Sequence, residues 1–85
     1  MSISAVNKPS PIEVWLSQAN MTVTCTVVRE DESTEQLAVD SLSMRGAQRE
    51  ITGYLIGLGY SPVGRWEAAE PETPEVSRQF KAAAN

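Results

Sequence analysis

The stretch Ser43 to Glu67, SMRGAQREITGYLIGLGYSPVGRWE, constrains the fold of this chain more than any other. Ser43 suits a helix N-cap, because its hydroxyl can accept from a free backbone N–H of the first turn. Behind it, Met44, Ala47, Ile51, Tyr54, Leu55 and Leu58 recur at helical spacing and form one apolar stripe. Arg45, Gln48, Arg49 and Thr52 lie on the other side. Gly59 supplies a left-handed stop, and Pro62 blocks continuation. Gly53 and Gly57 lower the intrinsic helix propensity, so the helix must lean on a surface it packs against. Val63 to Ala68 then reads as a strand carrying Arg65 and Trp66. A single amphipathic helix followed at once by a strand predicts one helix laid on a small sheet.

The rest of the sheet is read from alternation. Glu13 to Ser17 is a short strand, and Gln18-Ala19-Asn20 a turn with Asn20 suited to positive φ. From Met21 to Val28, the residues Met21, Val23, Cys25 and Val27 alternate with Thr22, Thr24, Thr26 and Val28. Such alternation predicts a strand with one buried and one open face. Arg29 to Thr34 is a charged loop, and Glu35 to Leu42 a third strand with Leu37 and Val39 inward. Glu70 to Pro74 is a stiff polar connection. In Glu75 to Lys81, the residues Val76, Arg78 and Phe80 alternate against Ser77, Gln79 and Lys81. This favours a fifth strand in a hairpin with the fourth; a short C-terminal helix is the competing reading.

The expected fold is therefore α+β and two-layered: an antiparallel sheet, β-β-β-α-β plus a fifth strand, with one helix on one face. Residues 1–11 are expected to be a flexible arm, 12–81 a single domain and 82–85 a flexible end. The expected core is Val14, Leu16, Val23, Cys25, Val27, Leu37, Val39, Ala47, Ile51, Leu55 and Leu58. The other sheet face would show the threonines, Val28 and a tryptophan. Trp15 has opposite parity to Val14 and Leu16, which puts it there.

Composition narrows the function. A net charge of −4 works against nonspecific binding to nucleic acid or anionic lipid, both of which reward positive charge. Cys25 is the only cysteine and there is no histidine, which removes an internal disulfide, the usual zinc sites and the commonest general base. The start, MSISAVNKPSP, has no apolar core of signal-peptide length, and no later segment is apolar enough over the length of a bilayer. A cytoplasmic, non-enzymatic protein with no cofactor and no membrane association is expected.

Three sets of residues invite a binding reading. Ser41 and Ser43 sit at the helix start, where free N–H groups and the dipole attract anions, and Arg45 stands beside them. Arg45 there opposes the dipole, and Arg49 one turn later adds like charge, two small penalties that an anionic partner would relieve. The plainer reading pairs Arg45 with Asp40 or Glu50 on a solvated helix face. Arg65 and Trp66 have the composition of an interface hot spot, unless Trp66 turns to the helix and is core. The carboxylates lie mostly in loops, and Cys25 on the buried parity behaves as a small hydrophobe.

At the helix and the strand after it, the segment SMRGAQREITGYLI…GYSPVGRWE resembles small uncharacterised proteins of actinobacteria. The likeness runs from Ser41 to Trp66, and more weakly from Arg78 to Lys81. It implies a bacterial cytoplasmic setting and brings no activity or functional residues with it. The reading reached is a small protein-interaction or regulatory module, with self-association into a homodimer as a further expectation. Its contacts are Arg45, Gln48, Arg49, Arg65 and Trp66, with Ser41, Ser43 and Arg45 as an anion site. The alternative is nucleic-acid binding through the same arginines, aided by Arg78 and Lys81.

Overall fold

The computed structural model describes residues 10–68 and 75–83. It holds a five-stranded antiparallel sheet with one helix on one face, as the alternation and the lone helical stripe predict. In chain order the elements are β1 (Ile12–Ala19), β2 (Thr22–Arg29), β3 (Thr34–Leu37), α1 (Met44–Gly57), β4 (Tyr60–Ala68) and β5 (Glu75–Ala82). The strand order is β3-β2-β1-β5-β4. Thus β1 is the central strand, and β5, last in the chain, lies between β1 and β4. The expected Glu70–Pro74 connection falls outside the described residues, as does the arm before Ser10.

The β1–β2 hairpin turns at Asn20, whose φ of 58° is the left-handed conformation that asparagine tolerates well. Its register sets Val14 opposite Val27 and Leu16 opposite Cys25. On the β5 side, Ile12 stands opposite Phe80 and Leu16 opposite Val76. Residues paired across antiparallel strands share a face. One face therefore gathers Ile12, Val14, Leu16, Val23, Cys25, Val27 and Phe80, and α1 closes it with Ala47, Ile51 and Leu55. These ten residues are the buried core, while Leu37, Val39, Met44, Tyr60, Trp66 and Val76 pack half-buried around it. The opposite face carries Glu13, Trp15, Thr24, Thr26, Val28, Ser77 and Gln79.

Several boundaries and fates differ from the sequence reading. Met21 lies in the turn, 75% exposed, because Asn20 and Met21 together are the hairpin corner. The third strand ends at Leu37, not Leu42. The chain must leave the sheet there to reach the start of α1, so Val39 packs on the core from an irregular segment. Tyr54 and Leu58 are 51% and 54% exposed, and Leu58 is not core. A helix buries only the arc that meets the sheet, and the stripe is wider than that arc. Ile12 and Phe80 take core places the sequence reading did not assign.

The strand β4 starts at Tyr60 rather than Val63, and it accepts Pro62 because it is an edge strand. Its pairing with β5 is broken by a bulge: Val63 faces Gln79 and Glu67 faces Ser77, so Gly64, Arg65 and Trp66 stand opposite Arg78 alone. Gly64 takes a φ of 67° to make this possible. Two extra residues restore the strand's parity, which leaves Val63, Arg65 and Glu67 on one face and Trp66 on the other. The strand reading of residues 75–81 holds, and β5 runs on to Ala82, with the Ala83 N–H donating to the Gly59 carbonyl at 2.9 Å.

Candidate functional site

At the start of α1, Ser43 caps the helix with extended backbone, and its Oγ accepts from the Gly46 N–H at 3.1 Å. Ser41 crowds the same turn: a Cβ added at Gly46 would lie 2.8 Å from the Ser41 Oγ and 3.0 Å from the Ser43 Oγ. The Glu50 side chain folds back over the turn. Its carboxylate accepts from the Asp40 N–H at 2.9 Å and the Ser41 N–H at 3.0 Å. These backbone donors hold the Glu50 carboxyl below its ordinary pKa. Of the hydroxyls expected to hold an anion, that of Ser43 is thus bound to the Gly46 N–H and that of Ser41 lies close over Gly46, while a carboxylate already occupies the N–H groups of Asp40 and Ser41.

Glu50 is therefore spent on backbone, not on Arg45. Arg45 and Arg49 are exposed one turn apart and make no ion pair among the described residues, and the first turn of α1 holds no acidic residue. The one ion pair among those residues joins Arg29 to Glu35, across β2 and β3. Gln48 is half-buried at the flank of the arginine face.

The structure separates Arg65 from Trp66. The Trp66 indole N–H donates to the Thr52 Oγ at 3.3 Å, and its ring meets Phe80 edge to face with centroids 6.1 Å apart. Thr52 lies one turn beyond Gln48, so Trp66 joins the flank of the helix's polar face and is anchored there as partly buried packing. Arg65 points to the opposite face of the sheet. There it lines a polar cleft of about 260 Å³ with Glu13, Glu67 and Ser77. Arg45, Gln48, Arg49 and Trp66 are thus one neighbourhood, and Arg65 reaches it only around the β4 edge. The helix arginines and the bulge arginine do not form a continuous patch.

Arg78 is half-buried and lines the same polar cleft as Arg65, but its guanidinium is engaged within the bulge. Its guanidinium donates to the Gly64 carbonyl inside the bulge and lies 6.0 Å from the centre of the Phe80 ring. Its Nε is buried without a partner. The sequence signal for this was present in the alternation of Val76, Arg78 and Phe80, which put the arginine on the buried parity.

Burial pushes the Cys25 thiol up to about 11, so it carries no thiolate at neutral pH. Among the described residues no group of three or more cysteine, aspartate or glutamate side chains is placed to hold a metal ion. No helix there is long and apolar enough to cross a membrane.

Sequence reasoning missed a second feature on the helix side. Tyr54 and Leu58, placed in the core stripe, instead form the bank of a groove between α1 and the β2–β3 edge. The signal was the width of the apolar stripe, which exceeds what one sheet contact covers. The chain matches no protein-family model, no curated protein and no solved structure.

Proposed function

We propose that this chain is a small non-enzymatic, cytoplasmic interaction module that docks an acidic surface of another protein on the outer face of α1. Arg45, Gln48 and Arg49 are the direct contacts, and Trp66 stiffens their flank through Thr52. Arg65 joins only with a partner that wraps the β4 edge. The observation that carries the reading is the pair of exposed arginines, one turn apart and without ion pairs among the described residues, on a chain of net charge −4. Arg45 in the first turn opposes the dipole, and Arg45 and Arg49 repel each other, for a few tenths of a kcal/mol apiece. Glu50, one of the two carboxylates expected to pair with Arg45, is used elsewhere. A carboxylate-rich partner surface relieves both costs at once, and charge-assisted, bidentate bonds to arginine give it specificity.

The test is affinity capture from native lysate of the source organism, comparing the wild-type chain with Arg45→Glu/Arg49→Glu after nuclease treatment. A protein retained by the wild type and lost with the double variant is the expected result. Nucleic acid recovered from an untreated lysate, released steeply by added salt, would transfer the arginines to phosphate binding instead. An interaction set indifferent to the double substitution would remove the helix face from the function.

A further inference from the structure

Among the described residues the one helix lies on the core face of the sheet, and no element covers the other face. Trp15 stands in the middle of that open face. It belongs to the central strand, between Thr26 of β2 and Ser77 of β5. Thr24, Val28 and Gln79, on three of its diagonals, are uncharged like these two neighbours. A tryptophan at the centre of an uncovered face is the kind of side chain that anchors an interface.

The strand registers make this face complementary to itself. Consider a two-fold axis that runs across the strands, in the plane between two facing sheets, at the level of Trp15. It lays each strand antiparallel on its own copy. Two sheets packed face to face keep their strands within about 30° of such alignment. Trp15, Thr26 and Ser77 then meet their counterparts along the axis. Glu13 comes opposite Ser17 of the other copy, and Glu75 opposite Gln79, so each carboxylate is offered a hydrogen-bond donor. On β4, Arg65 and Glu67 share the face, and neither has an ion pair among the described residues. The same axis brings Arg65 of each copy beside Glu67 of the other. A two-fold axis along β1 would instead stack Glu13 on Glu13, a like-charge contact that opposes association.

The area is sufficient. The face comprises four strands of eight or nine residues and one of four. At about 4.8 Å between strands and about 3.4 Å per residue it covers roughly 600 Å². A pair of such faces buries about 1,200 Å², which reaches the lower bound for specific, stable interfaces. A chain of 85 residues with ten buried core residues gains from the second layer.

We infer that the open face of the sheet is the interface of a homodimer, with Trp15 at its centre, the strands of the two copies antiparallel and both α1 helices outside. A strongly charged partner fits less well, because the face carries both signs around an uncharged centre. The dimer leaves the arginine face of each α1 free and does not rest on the acidic-partner reading.

The test is sedimentation velocity of the full chain across a range of concentrations, with circular dichroism to check that each variant is folded. The wild type is expected to pass reversibly from monomer to dimer. Trp15→Thr, which keeps a strand-forming residue, is expected to raise the dissociation constant about thirtyfold or more. If Trp15→Thr fails to fold, Thr26→Lys takes its place, since it sets two lysines against each other at the axis. Arg45→Glu/Arg49→Glu and Leu58→Glu are expected to leave the dimer intact, and added salt to leave it in place. A chain that stays monomeric up to about 1 mM would overturn the inference. So would a dimer indifferent to both Trp15→Thr and Thr26→Lys. A dimer lost with Leu58→Glu alone would move self-association to the helix side, and one lost with the arginine variant or with salt would make it a contact of α1 with an acidic loop.

Discussion

Two glycines of α1 sit in opposite surroundings and make opposite demands. Gly53 has open space where a Cβ would go. Gly46 has none, since Ser41 and Ser43 close on it within 2.8 and 3.0 Å. Alanine in a helix interior is favoured over glycine by about 1 kcal/mol. Gly53→Ala should realise most of that gain and raise the urea midpoint. At Gly46 the same methyl must push aside both hydroxyls, one of which is the cap acceptor, and loss of a cap costs about 1 kcal/mol. Gly46→Ala should therefore lower the midpoint or leave it unchanged. Equal gains at both positions, measured by urea unfolding, would show that the serines do not crowd the first turn. Sequence reading found the cap at Ser43 but not the packing at Gly46. The crowding comes from Ser41, two residues before the cap, where no capping pattern assigns a role. The same scale explains Arg78, whose alternation pointed inward while its charge pointed outward. Only the carbonyl of the bulged Gly64 reconciles the two.

At the scale of elements, the β3-to-α1 connection is held by a side chain from the helix it leads into. Glu50 accepts from the backbone of Asp40 and Ser41, and Gln18 of β1 donates to the Leu42 carbonyl at 3.0 Å. The folded state thus favours the ionised Glu50, and its pKa is lowered from an ordinary 4.5. Asp31 is lowered in the same direction by the Ser33 N–H and hydroxyl. A carboxyl depressed on folding contributes stability that is fully present above its unfolded pKa and is lost as pH falls through the folded value. Urea midpoints should therefore hold between pH 7 and 5 and fall below about 4.5. Glu50→Gln should lower stability at neutral pH and flatten part of that acid limb. An acid limb identical in wild type and variant would mean the carboxylate does not bind the connection in solution. None of this was legible locally, because the partners lie ten and nine residues apart and fit no capping-box spacing. The strand periods, by contrast, were legible, because alternation is written residue by residue. Boundaries slipped where tertiary geometry overrode it, at Met21 and after Leu37.

For the molecule as a whole, the decisive fact is where the last strand goes. The sequence showed β4 and β5 as a hairpin, since adjacent strands in the chain usually pair. It could not show that β5 is the strand that meets β1, because a partner chosen across sixty residues leaves no local mark. The consequence is cooperative. Among the described residues, the hairpin of β1 and β2 and the hairpin of β4 and β5 are joined chiefly through the β1–β5 ladder and through α1. Phe80 sits at that seam, 1% exposed, opposite Ile12, with Trp66 on its edge. Truncating such a phenylalanine costs about 3–5 kcal/mol, a large share of the roughly 5–15 kcal/mol that holds a small domain together. Phe80→Ala should leave the chain largely unfolded at 37 °C or close to it. A chain ended after Ala68 should lose α1 and the β1–β2 hairpin together, since Ile12, Val14 and Leu16 would then border an uncovered edge. Circular dichroism melts and amide exchange test this directly. If the shortened chain kept a cooperative melt with protected amides in β1, then β4 would have taken the place of β5 beside β1. The strand order would not be a requirement of the fold, and the bulge that houses Arg78 would have no role in stabilising it.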